Sequence, residues 1–160
     1  MLLCVFSCFM FVSCNSESLN KSDFQEVSFK EEQKIQLVTD TDVYNISVSF
    51  NEDGEFNMHF LEEAPEIYDD LEINIKNDMC VIESNGLKFA KNINDFNNDY
   101  FPKIIYHFFI ATDFINETYS YNELEKTASI EKSVLEKKVV FTTQLSLENT
   151  AQIYKIEIKS

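Results

Sequence analysis

Apolar side chains recur at every second position through most of this chain, and that period places them on one face of a β-strand, not on one stripe of a helix. Tyr44, Ile46, Val48 and Phe50 alternate with Asn45, Ser47 and Ser49, and the pattern resumes as Phe56, Met58 and Phe60 against Glu55, Asn57 and His59. Between the two runs Asp53-Gly54 supplies the positive φ that a tight turn needs, which predicts a β-hairpin. Leu71, Ile73 and Ile75 continue the alternation, Met79 to Glu83 forms the next apolar run, and Asn85-Gly86 turns the chain into Leu87 to Ala90. These segments read as a meander.

Near the C-terminus the run 139–147 is apolar and β-branched, and Tyr154, Ile156 and Ile158 alternate with Lys155, Glu157 and Lys159, with 148–151 as the turn. An early strand over 26–30, continuing toward Val38, is expected to begin the sheet. The segment 122–138 carries both helix-forming residues and the strand-like series Ala128, Ile130 and Val134; strand after a short turn is the expectation. One segment breaks the period. Ile104, Ile105, Phe108, Phe109 and Ala111 fall at helical spacing behind Pro102, with Asn98 or Asp99 placed to cap, so a helix of about three turns is expected near 101–112. An aromatic helix set against strands that all alternate implies a mainly β fold: one strongly curved antiparallel sheet of about eight to ten strands, a half-barrel, with the helix in its concave face.

The N-terminus carries a different message. Residues 2–12 are almost unbroken apolar and uncharged, yet a bilayer span needs about 20 such residues, so the run reads as the hydrophobic region of an export signal. It ends in Ser13-Cys14, which resembles the lipobox of bacterial lipoproteins, although Met1-Leu2-Leu3 lacks the basic residue such signals usually carry. The expected organisation is a signal peptide at 1–13, lipidated Cys14 with a polar tether at 14–23, and one β domain at 24–160. Each buried methylene contributes about 0.8 kcal/mol, so two acyl chains on one cysteine hold a protein firmly on a membrane. Cleavage would remove Cys4 and Cys8, leaving Cys80 as the lone thiol of the domain, with no disulfide and no thiolate metal site available to it.

Charge narrows the function classes. The chain has 28 acidic residues against 13 basic ones, a formal net charge of −15, and every basic residue is Lys. Without Arg there are no bidentate phosphate clamps, and nucleic acid is not an expected partner. With two glycines, phosphate-cradling loops and dinucleotide fingerprints are absent as well. The two histidines, His59 on a polar strand face and His107 on the aromatic helix, sit in no nucleophile or metal motif. The acids at 62–70 and the pair Asp40 and Asp42 offer oxygens to a hard cation but lack calcium-loop spacing. No catalytic residue, metal or cofactor is expected.

A lipobox, a tether, antiparallel strands, then Leu87-Lys88-Phe89 followed by an aromatic helix before the last strands: this order is similar to cell-envelope lipoproteins of the half-barrel type related to the outer-membrane lipoprotein carrier. The resemblance implies a sheet wrapped around helix, with an apolar hollow that receives an acyl chain or lipoprotein tail. Phe50, Phe56, Met58, Phe60, Ile105, Phe108 and Phe109 are the residues expected to line it. The expected function is therefore a membrane-tethered extracytoplasmic lipoprotein, not an enzyme, binding an apolar or lipid-like ligand between sheet and helix. The alternative is an envelope interaction module without a cavity, contacting a protein partner through its acidic surface. Metabolic labelling with a palmitate analogue should mark the wild-type chain and leave Cys14→Ser unmarked and lost from membranes. An unlabelled wild type found in the cytosol would sink this reading of the leader.

Overall fold

The computed structural model describes residues 32–51, 53–61, 68, 70–114, 116–145 and 151–160. The expected signal, Cys14, the tether, the first part of the early strand, the acids at 62–66 and 69 and most of the 148–151 turn lie outside the described residues. Among the described residues ten strands form a single open, mixed sheet: β1 (Gln33–Val38), β2 (Val43–Phe50), β3 (Phe56–Phe60), β4 (Glu72–Lys76), β5 (Met79–Ser84), β6 (Leu87–Asn92), β7 (Ser120–Asn122), β8 (Thr127–Val134), β9 (Lys137–Leu145) and β10 (Ala151–Lys159). The helix α1 (Phe101–Ala111) lies between β6 and β7 in the chain.

Spatial order runs β6-β5-β4-β3-β2-β1-β10-β9-β8-β7. The chain thus starts in the middle of the sheet and meanders outward to β6. From there α1 carries it across to the opposite edge at β7, and a second meander returns it to the centre. Every pair is antiparallel except β1 with β10, which run parallel with Leu37 opposite Ile156. The all-antiparallel expectation is corrected at that one seam. A period of two marks faces and carries no direction, and no hairpin joins these two strands to fix it.

Curvature follows from what one side chain reaches. β3 and β9 are four strand spacings apart, about 19 Å on a flat sheet. Phe109 on α1 nonetheless lies 6.1 Å from the Phe56 ring of β3 and 5.8 Å from the Phe141 ring of β9. The sheet therefore wraps the helix. Its inner face is a continuous core that includes Leu37, Ile46, Phe56, Ile75, Phe141 and Ile156, all sealed from solvent.

Local chemistry explains where the strands turn and where the expectation moved. The hairpins β4–β5 and β5–β6 close through Asn77-Asp78 and Asn85-Gly86, all four at positive φ, as two-residue turns of the right hand require. The strand expected within 122–138 is β8. It ends at Leu135-Glu136, a two-residue turn also at positive φ, with φ of 49° and 70°, and with no Gly, Asn or Asp to announce it. In β10 a register shift between Ile153 and Lys155 breaks the alternation, burying Ile153 and leaving Tyr154 partly exposed. An added residue in one strand reverses the faces that follow. Neither Asn98 nor Asp99 caps α1: the cap is Tyr100, without a side-chain bond. Asp99 pairs instead with Lys137 at 2.8 Å, and Asn98 accepts from Lys103 at 2.9 Å.

Left-handed backbone costs a side-chain-bearing residue roughly 1–2 kcal/mol that glycine avoids. Glu136 is exposed, so Glu136→Gly is expected to stabilise the fold by about 1 kcal/mol. Urea midpoints for the two chains test this, and an unchanged or lower midpoint would count against strain at the turn.

Candidate functional site

The side chains expected to line a hollow converge between α1 and the inner sheet face, where several of their rings are in mutual contact. Phe56, Met58, Ile105 and Phe108 are sealed from solvent, Phe109 is 4% exposed, and Phe50 and Phe60 are half-buried. Around Phe109 the ring of Phe50 stacks at 5.6 Å, Phe56 and Phe114 lie at 6.1 Å, and Phe141 meets it edge-on at 5.8 Å. Phe108 stacks on Phe141 at 5.4 Å. Such pairs contribute about 0.5–1.5 kcal/mol each beyond the area they bury. Met58 and Ile105 belong to the same buried cluster.

Phe60 is not part of this group. It stacks on Tyr68 at 4.4 Å and meets Tyr44 and Phe101 edge-on, forming a second aromatic nest at the start of α1. Sequence reasoning did not name Phe141, Tyr106 or Tyr44 among the lining residues. Phe141 sits in register between Val139 and Thr143, both buried, so the alternation of β9 was the available signal.

Beside the second nest, a cleft of about 370 Å³ is lined by Tyr44, Phe101 and Ile104 below and by Asp40, Asp42, Asp99, Lys137 and Ser160 above. Its polar groups are already matched. Ser160 holds the Asp40 carboxyl below its ordinary range, first through its side chain and then through its N–H, which donates at 3.1 Å, and Lys137, raised by Asp99, also reaches the Ser160 hydroxyl at 3.3 Å. Asp42 closes a turn with Thr39, whose hydroxyl both donates to its carbonyl and accepts its N–H. Burial, then the neighbouring Tyr68, pushes Tyr44 up to about 12, so its phenol stays neutral. Among the described residues no three His, Cys, Asp or Glu side chains gather closely enough to hold a metal ion.

Further groups with chemical potential lie outside this cleft. His59 faces Glu32 at 3.3 Å, and the same carboxylate accepts from the Ser47 hydroxyl on that outer face. Burial pushes the Cys80 thiol up to about 11, which removes the thiolate that reactivity needs. Lys103, 4% exposed, donates to the carbonyls of Asn94 and Phe96 and to Asn98, strapping the segment before α1 onto the helix.

A third feature lies at the free edge of the sheet. Beyond the reach of α1, Leu87 and Phe89 of β6 stand 78% and 54% exposed on the inner face, next to Ile82 of β5. Together they line a shallow apolar cavity of about 280 Å³. No family model, curated protein or solved structure matches the chain.

His107 offers a test of the packing at α1, because its Nε2 is buried without a partner. Burial first, and the nearby Lys103 second, hold its pKa below the ordinary 6.5. The unfolded chain therefore binds a proton there more readily than the folded one, and stability present above about pH 6.5 is lost as pH falls through the folded value. In His107→Gln the fall in urea midpoint between pH 7 and 5 should be shallower than in the wild type. Parallel curves would show that the imidazole is not desolvated.

Proposed function

We propose that this chain is an extracytoplasmic lipoprotein, held on a membrane by lipid on Cys14, whose domain works by binding a protein partner and not by catalysis. The observation that carries the binding-module reading is the packed ring set Phe50, Phe56, Phe108, Phe109 and Phe141, which occupies the place a lipid-like ligand would take. A ligand there would have to displace rings in mutual contact. Support for the tether is the leader itself, an apolar run too short to span a bilayer that ends in Ser13-Cys14.

Catalysis finds little to work with, since His59 is engaged by Glu32, His107 keeps its Nε2 buried without a partner, and the acids of the cleft are matched. A binding role asks less of the molecule. It needs a rigid body, a membrane address and an accessible surface able to exclude water from a partner.

Native mass spectrometry of the full chain, extracted in mild detergent, separates this reading from that of a lipid carrier. The expected wild-type spectrum shows protein plus its own acyl chains and no further apolar mass. Phe109→Ala should lose about 3–5 kcal/mol of stability through the cavity it opens, and the milder Phe109→Leu keeps the experiment interpretable if the first variant fails to fold. A stoichiometric lipid retained by the wild type, and shed when Phe109 is replaced, would restore the carrier reading.

A further inference from the structure

The two edges of this sheet are unlike. β7 is three residues long and polar at Ser120 and Asn122, a short edge of the kind that resists pairing. β6 is six residues long, stands at the other end of the sheet order, and pairs among the described residues only with β5. Its hairpin with β5 closes on the Ser84–Leu87 pair, and Ile93 N–H still reaches the Asp78 carbonyl, so odd-numbered residues bond inward. The N–H and C=O groups of Lys88 and Ala90 therefore point away from the sheet.

Side chains on this edge form a pattern of their own. On the inner face Leu87 and Phe89 are exposed beside Ile82, while on the outer face Lys88 lies between them in sequence. From Ser84 to Asn94 the chain has two lysines and no acid, in a molecule with 28 acids against 13 lysines. Lys91 is committed to the Asp95 carbonyl and the Phe96 ring, whereas Lys88 holds only a loose contact with Glu83 at 3.6 Å, more than half exposed.

Resting on the protein-binding reading above, we propose that β6 is the docking edge, and that it takes an extended partner segment as an eleventh strand. The segment that fits alternates apolar residues, which cover Leu87 and Phe89, with a carboxylate residue facing Lys88. Main-chain bonds to Lys88 and Ala90 supply affinity and the alternating side chains supply choice. A lipid surface would cover the apolar pair but leave those backbone groups without partners. A second copy of this chain would bring another body of charge −15 against the first and set Lys88 against a strand whose only charges are lysines.

The experiment uses the full chain and three synthetic twelve-residue probes: alternating Ile and Glu, alternating Ile and Lys, and the Ile and Glu peptide with its order scrambled. The first should bind at least tenfold more tightly than the other two, and hydrogen exchange should slow at the Lys88 and Ala90 amides. Ala90→Pro, which removes an outward N–H from an edge strand and leaves the β5 ladder intact, should weaken binding at least tenfold. Lys88→Glu should invert the preference toward the Ile and Lys peptide. Equal binding of all three probes, protection at β7 instead, or indifference to Ala90→Pro would overturn the proposal. So would self-association of the wild type through β6 in sedimentation, which would assign the edge to a second copy. Loss of the edge proposal with no lipid found in the domain would leave the broader protein-binding reading standing.

Discussion

Among the described residues α1 is the one α-helix, so ten strands of inner-face apolar surface have about 16 Å of helix to close upon. A flat sheet of that width would leave most of its face in water. Bending is what brings Phe56 from one half and Phe141 from the other onto the same Phe109 ring, and the bend persists because both halves have a share in that contact. Pro102 sets the start of α1 and Lys103 ties its first turn to the segment 94–98. The start of the helix is thereby held by contacts other than the ring packing.

Much of this was legible in the residues, for a physical reason. Burial on one face of a strand forces alternation, and alternation with Asp53-Gly54 or Asn85-Gly86 between runs leaves few other structures open. The mainly β class, the helix and its aromatic partners Phe50 and Phe56 follow from that pattern. What escaped has equally definite causes. The parallel seam between β1 and β10 involves residues far apart in sequence, and the turn at Leu135-Glu136 adopts positive φ with side chains that disfavour it. Asp99 looked like a cap because short acids often are, yet it is spent on Lys137 across the fold. Tertiary partners outbid local preference there, and no window of sequence contains both residues.

The site expectation shows a sharper limit. The same aromatic list describes a lined hollow and a filled one, since either needs large apolar side chains on facing elements. Distances bear on the choice, and ring centroids 5.4–6.3 Å apart from Phe141 through Phe108 and Phe109 to Phe56 put those four rings in mutual contact. Phe60 illustrates the other half of the limit. It shares a strand face with Phe56 and Met58, yet sits against Tyr68, Tyr44 and Phe101 at the other nest, because the helix runs along the strand, with Phe101 of its first turn beside Phe60 and Phe109 near its end beside Phe56.

The placement of the helix also accounts for why the sheet stays open. To close a barrel, β6 would have to meet β7, and the chain between them passes through the interior instead of around it. The segment leading into α1 packs against β6 from inside: Phe96 meets Phe89 edge-on at 6.4 Å, stacks on Tyr100 at 4.6 Å, and takes the Lys91 ammonium over its ring. With Lys103 holding that segment to the helix, β6 is supported on its inner side at Phe89 and Lys91 but uncovered at Leu87, toward the hairpin tip. An edge held rigid at one end and bare at the other keeps its backbone extended without a neighbour. That is the state in which adding a strand costs least conformational entropy.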